Sequence, residues 1–150
     1  MKHFTISELI HSDTAVKRRI WNGATREVED NLIALVGAVL DPVRERWGKP
    51  IAVTSGYRSA ELNRIVGGVA TSQHLKGEAA DICAANPKET ARLGRLIVQM
   101  GSYDQVIFEY SNADCTEAEW IHVSWKRVGT NRRQILRLLK GSKRYEQISI

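Results

Sequence analysis

The ten residues Ser72–Asp81 read Ser-Gln-His-Leu-Lys-Gly-Glu-Ala-Ala-Asp, with a histidine and an aspartate seven positions apart and a glycine between them. Along one straight strand, side chains seven residues apart point to opposite faces. His74 and Asp81 can therefore share a metal ion only if the chain turns between them. Gly77 stands where this turn is needed, because glycine accepts positive φ. The segment predicts a tight turn that leads into a strand.

A second histidine lies in the segment Glu119-Trp120-Ile121-His122. Strand alternation points Glu119 away from His122, unless the strand begins after Glu119 or a bulge re-aims its side chain. Two imidazoles and one carboxylate form a common catalytic zinc shell, and a spare carboxylate is a candidate general base. The remaining histidines, His3 and His11, match no pattern and are predicted to lie at the surface.

The composition is that of one soluble globular domain. The chain has 150 residues, 43% hydrophobic and 26% charged, and a domain of this size can bury a core without disulfides. No apolar run is long enough to span a bilayer. The N-terminal residues lack the apolar stretch of a secretory signal, so we expect a protein made in the cytoplasm. Cys83 and Cys115 are too few and too far apart for a cysteine zinc motif, and we expect two reduced, partly buried thiols, with a disulfide as the alternative.

Positive charge is concentrated near the C-terminus. Residues 126–150 carry eight Lys or Arg and one Glu, which is a net charge of +7. The whole chain has a net charge of +5, so residues 1–125 carry −2. Such a segment favours a polyanion, for example nucleic acid, teichoic acid or an anionic lipid surface, or it is a solvated helix face. No recognition helix or aromatic-rich RNA motif is present, so we expect no specific nucleic-acid binding.

The hydrophobic pattern predicts an α+β domain. Helical spacing predicts a long helix over residues 26–47, which Pro42 should kink or divide by splitting off the last turn, after a short helix capped by Thr5. Another helix is expected to begin at Asn86-Pro87, and a last one covers residues 130–140. Strands are predicted at 51–55, 79–84, 105–110 and 121–125. Because strands and helices mix without a strict βαβ order, we expect a small, mainly antiparallel sheet with flanking helices in one domain, 1–150.

These segments together resemble the M15 family of zinc D-Ala-D-Ala carboxypeptidases and related peptidoglycan peptidases, and in particular its short, phage- and prophage-type branch. The family's Ser-x-His-x-x-Gly-x-Ala-x-Asp pattern is matched by Ser72, His74, Gly77, Ala79 and Asp81. Its Glu-x-x-His element is matched by Glu119 and His122, and its Ser-Gly-Tyr-Arg-Ser element by residues 55–59. The resemblance covers about residues 4–125 and leaves the basic segment 126–150 outside it.

The resemblance implies a role for each matched residue. His74, Asp81 and His122 would bind one Zn²⁺ and leave a position open for water. Glu119 would be the general base. Arg58 would stabilise the developing oxyanion or hold the terminal carboxylate of the substrate, because its rigid, charged fork suits either group. Three further residues would bind substrate: Tyr57, Ser72 and Gln73.

The implied activity is hydrolysis of a D-amino-acid-containing peptide bond in the peptidoglycan stem. A D-Ala-D-Ala carboxypeptidase is the first expectation, and an endolysin-like endopeptidase that cuts L-Ala-D-Glu or a cross-bridge is the second. In either case the enzyme would act on the cell wall after phage-type release, with the basic segment near anionic wall polymer.

Two rivals belong to other classes. A zinc-retaining, non-catalytic wall-binding module would need neither Glu119 nor Arg58. A nucleic-acid-binding protein is suggested by the sequence pI of about 9.4. It would bind in a salt-sensitive way, but it gives no reason for the two histidines and the aspartate.

Overall fold

Six strands form one sheet in the order β1-β2-β4-β3-β5-β6 in the computed structural model, which describes residues 1–150. The strands are β1 Ala52–Ser55, β2 Ala79–Cys83, β3 Gln105–Tyr110, β4 Ala118–Ser124, β5 Gln134–Leu139 and β6 Glu146–Gln147. Every neighbouring pair is antiparallel except β3 and β5, which run parallel. The predicted α+β class with a mainly antiparallel sheet is confirmed.

Six α-helices accompany the sheet. They are α1 Ile6–Ile10, α2 Asp13–Arg18, α3 Arg26–Leu35, α4 Asp41–Trp47, α5 Ala60–Ile65 and α6 Pro87–Met100. A π-helical turn, Val36–Leu40, joins α3 to α4, so the long helix predicted over 26–47 is interrupted just before Pro42. Proline has no N–H to continue the helical hydrogen bonds, which is the physical reason for the interruption. None of these helices is both long and apolar enough to cross a membrane.

The predicted helix caps are present. The Thr5 side chain accepts a hydrogen bond from the Glu8 amide at the start of α1. The Asn86 side chain accepts one from the Glu89 amide at the start of α6, directly before Pro87. Side-chain oxygens at these positions satisfy amides that have no partner inside the helix.

The two faces of β3 have different surroundings. Val106, Phe108 and Tyr110 are buried in the core, where α6 packs across β2, β3 and β4. This packing is close: a Cβ at Gly94 of α6 would lie 2.4 Å from Cε2 of Phe108. The alternate side chains of β3 face the other way, and that face of the sheet carries the cleft described below.

The helix predicted over residues 130–140 is wrong. Residues Gln134–Leu139 form β5, which pairs in parallel with β3. The apolar residues of this segment fit helical spacing as well as a strand, so local pattern does not decide between them. The decision comes from the open edge of β3, whose backbone groups need partners, and from Ile135 and Leu139, which pack against the core.

Candidate metal centre

The carboxylate of Asp81 lies between two imidazoles. Its Oδ1 is 3.0 Å from Nδ1 of His122 and 3.3 Å from Nε2 of His74. One ligand atom from each of the three residues lies within 4.8 Å of the others. His74 and Asp81 are buried and His122 is half-buried. We call these three residues the triad.

The turn between His74 and Asp81 is built from a 3₁₀ helix, Gln73–Lys76, which ends at Gly77 with φ of +73°. A Cβ at Gly77 would lie 2.7 Å from the carbonyl oxygen of Val28, so the position excludes larger residues by contact as well as by φ. After this turn the chain enters β2, where Asp81 stands directly opposite His122 of β4. The turn and the strand register together bring the three side chains to one point.

The imidazole of His74 is fixed by a backbone contact. Its Nδ1 lies 2.7 Å from the carbonyl oxygen of Gly56, which can only accept, so Nδ1 carries the proton. Nε2 therefore faces the Asp81 carboxylate, 3.3 Å from Oδ1. With the ring neutral, Nε2 and Oδ1 would both offer electron pairs to one cation. This arrangement fits a bound metal ion.

The donor set also fits zinc. Two imidazole nitrogens and one carboxylate oxygen are a common catalytic zinc shell, in which a fourth position stays open. The hydrogen bond from Nδ1 of His74 to Gly56 is the kind of outer contact that orients a ligating imidazole. His74, Asp81 and His122 are therefore the residues that would hold the ion.

Arg58 stands beside the triad. Its Nη2 is 3.6 Å from Oδ2 of Asp81, and its Nε and Nη1 donate to Ser55 and Asn63. Burial lowers the pKa of Arg58, and the Asp81 charge opposes that shift. Burial also acts to raise the pKa of Asp81, but the charges and hydrogen bonds of His74 and His122 prevail and hold it well below its usual value.

A cavity of about 510 Å³ opens over the triad, and we call it the cleft. Three residues singled out from the sequence line it beside the triad: Arg58, Ser72 and Gln73. Tyr57 does not line the cleft. It borders a neighbouring cavity and packs against the core.

Glu119 occupies a β-bulge at the start of β4. Glu109 pairs with Trp120 and Tyr110 pairs with Ala118, so Glu119 is the extra residue between them. A bulge was one of the two alternatives that could re-aim this side chain. In the structure the Glu119 side chain is exposed and does not line the cleft.

A different carboxylate, Glu109, does line the cleft. Burial and then the charge of Asp81 raise the pKa of Glu109 to about 7, and Glu119 adds to the shift while His122 opposes it. Sequence reasoning missed this residue. The alternation of β3 could have found it, because Glu109 falls on the face opposite the core residues Val106 and Phe108.

The C-terminal segment also reaches the cleft, through Arg132, Leu136 and Tyr145. Arg132 is anchored by Asp104, which is fully buried and accepts from both Nε and Nη2. Burial acts to raise the pKa of Asp104, but the hydrogen bonds from Arg132 lower it to about 2. No signal in the sequence pointed to these lining residues, because the segment was predicted to be a helix.

Comparison with known proteins gives one family. A family model described as Peptidase M15 matches residues 2–124. This range contains the triad, Arg58, Glu109 and Glu119, and it ends before Arg132. The comparison with curated proteins finds no match.

Proposed function

Because this chain belongs to the M15 peptidase family, whose members are zinc enzymes that act on peptidoglycan, we propose that it is a zinc D-Ala-D-Ala carboxypeptidase. The observation that carries the proposal is the triad with Arg58 beside it in one cleft. The triad would hold the metal, and Arg58 would recognise the free carboxylate at the end of the substrate. An enzyme that reads a free terminus removes the last residue.

Zinc bound by the triad would supply Lewis-acid polarisation and a water of lowered pKa at neutral pH. The protein's own contribution is orientation. Gly56 fixes the ring of His74, and Arg58 holds the free oxygen of Asp81. Such outer contacts keep ligands in the geometry that a metal requires.

Arg58 is suited to a carboxylate because its guanidinium is already positioned. Its side chain is only 16% exposed, and Ser55, Asn63 and Asp81 hold it from three sides. A charged fork held in place loses little entropy when it binds a carboxylate. Ser72 and Gln73 lie on the same cleft and would contact the substrate backbone, whereas Tyr57 packs against the core outside the cleft.

The general base must accept a proton from water and deliver it to the leaving amine. We assign this role to Glu119, because it stands three residues before His122 as in the family's Glu-x-x-His element. The bulge gives its side chain freedom to turn toward the cleft. Glu109 is a second candidate, favoured by its place on the cleft wall and by a pKa of about 7, close to the working pH of a base.

The second candidate activity is that of an endopeptidase, favoured by the continuation of the cleft past the triad toward β5. A wall-binding module without catalysis is a third reading, and it would leave Arg58, Glu109 and Glu119 without a role. Membership of the phage-type branch and attraction of residues 126–150 to anionic wall polymer stay predictions.

The deciding experiment is product identification. The zinc-loaded protein is incubated with purified muropeptides, and the products are identified by mass spectrometry. Free D-alanine is expected. Larger fragments would replace the carboxypeptidase by an endopeptidase, and unchanged muropeptides with zinc fully bound would favour the binding module.

A further inference from the structure

A row of cross-strand neighbours links the triad to the C-terminal segment. Asp81 of β2 stands opposite His122 of β4, His122 opposite Ile107 of β3, and Ile107 beside Leu136 of β5. All four side chains line the cleft. Neighbouring strands lie about 4.8 Å apart, so Leu136 lies about 10 Å from His122 across the sheet. The floor of the cleft therefore changes from metal ligands to apolar side chains along one line.

Two further residues border the cleft near Leu136. Tyr145, from the segment between β5 and β6, lines the same cleft. Tyr145 is half-exposed, so its ring borders the cleft at the solvent side. On another side stands Arg132, whose Nη2 also reaches Oε1 of Gln73 at 3.3 Å.

Arg132 and β5 are held firmly by the folded domain. Asp104 is fully buried, and it accepts hydrogen bonds from the Arg132 backbone amide at 2.8 Å and from Nη2 at 2.7 Å. Six residues of β5 pair with six of β3. A surface held in this way is formed before a ligand arrives, so binding does not have to order it.

The position of Arg58 gives the line a direction. The strand order β1-β2-β4-β3-β5 places Arg58, which follows β1, on one side of the triad and Leu136 on the other. A substrate whose terminal carboxylate meets Arg58 would cross the triad at its scissile bond and continue over Ile107 toward Leu136. An extended peptide advances about 3.3 Å per residue, so about three residues cover the distance.

We propose that Leu136 and Tyr145, with Ile107, form a subsite for the third residue on the amino side of the scissile bond. The substrate is accordingly an extended peptide of four or more residues, and a free dipeptide leaves the subsite empty. This inference rests on the proposed carboxypeptidase function. It adds that residues outside the family match set the length of the substrate.

The first test is binding to the zinc-loaded protein, followed by methyl NMR. The probes are a two-residue and a five-residue peptide ending in D-Ala-D-Ala, each with the scissile amide reduced to –CH₂–NH– so that no turnover occurs. We expect the Leu136 methyl signals to shift with the five-residue peptide alone, and the His122 ring signals to shift with both. A His122 shift without a Leu136 shift overturns the subsite and leaves the function standing. No shift at either residue overturns both.

The second test compares two leucines of β5. Leu136→Ala should weaken binding of the five-residue peptide about tenfold, the usual scale for loss of apolar contact in a pocket, and leave the dipeptide unaffected. Leu138→Ala is the matched control, because Leu138 shares the strand and its alternation but does not line the cleft. An equal loss for both peptides in Leu136→Ala overturns the proposal. Tyr145→Ala provides the same comparison should Leu136→Ala fail to fold.

Discussion

The two walls of the cleft are built in different ways. The wall with Arg58, His74 and Asp81 is buried and polar, and each side chain is held by contacts of 2.7–3.6 Å. The wall from β3 and β5 is half-exposed and carries apolar residues with single polar groups between them. The first wall comes from short motifs, and the second comes from the pairing of distant strands. Chemistry is thus specified locally, while the surface that receives the substrate depends on tertiary structure.

The largest effect on zinc binding and turnover is expected from a change in the triad. His122→Ala removes one of the three proposed ligands, and the remaining two should bind zinc too weakly to retain it, so turnover should be lost. Metal analysis after gentle purification measures the zinc content. His11→Ala is the control, since His11 is exposed and contacts Asp13 outside the cleft. Full zinc occupancy in His122→Ala would remove that residue from the triad.

A comparison of two glutamates tests which of them is the general base. Glu119→Gln should keep zinc and lower kcat by about 10²–10⁴-fold, because the amide cannot accept a proton. Glu109→Gln should change kcat by less than about tenfold, since under this assignment it only lines the wall. The reverse order of the two effects would transfer the base to Glu109 and place it on the β3 wall.

The anchor of the β5 wall is tested through stability. Arg132→Gln leaves the buried Asp104 charge without its main donor, and the free energy of unfolding should fall by about 2 kcal/mol. Lys140→Gln, at an exposed position just after β5, should change it by less than about 0.5 kcal/mol. Urea denaturation measures both. Equal stability of the two variants would mean that the Asp104 contact does not hold the wall.

The contact between Asp104 and Arg132 also makes the free energy of unfolding depend on pH. The pKa of Asp104 is about 2 in the folded protein against an ordinary value of 3.8, so the unfolded chain takes up protons first as pH falls. Stability from this contact is full above about pH 4 and is lost between about pH 4 and 2. Arg132→Gln should flatten that part of the profile, and a profile identical to that of the parent protein would exclude Arg132 as the cause.

Glu109 should give the opposite slope in metal-free protein. Its pKa of about 7 lies above the ordinary 4.5, so the folded state retains a proton that the unfolded state has lost. The free energy of unfolding should therefore fall as pH rises from about 4.5 to 7. Glu109→Gln should remove this decline, as measured by denaturation at several pH values. The facing groups Asp81, His122 and Glu119 remain in the variant and provide its background.

The parts of the fold that local chemistry decides were predictable. Gly77 indicated the turn between His74 and Asp81, and alternation predicted that His122 lies in a strand. The caps at Thr5 and Asn86 were visible because each needs only a side chain and an amide three residues away. Even the bulge at Glu119 was one of two alternatives, but sequence alone had no means to choose it.

What escaped prediction depends on distant partners. Residues 134–139 suit a helix as well as a strand, and β3 lies too far away in sequence to inform the choice. Alternation places Glu109 on the face of β3 opposite the core, but only the pairing of β3 with β4 shows that this face lies beside the triad. Tyr57 was assigned to substrate binding through the Ser-Gly-Tyr-Arg-Ser element, and in the structure it packs against the core and borders a neighbouring cavity.

The parallel pairing of β5 with β3 has a consequence for synthesis of the protein. β3 leaves the ribosome before β5, so its outer edge is bare while the rest of the sheet assembles. A bare strand edge presents free N–H and C=O groups to any other chain and invites aggregation. Until residues 134–139 pair with β3, nascent chains can associate with one another through this edge. A chain that ends shortly before this segment would therefore tend to aggregate.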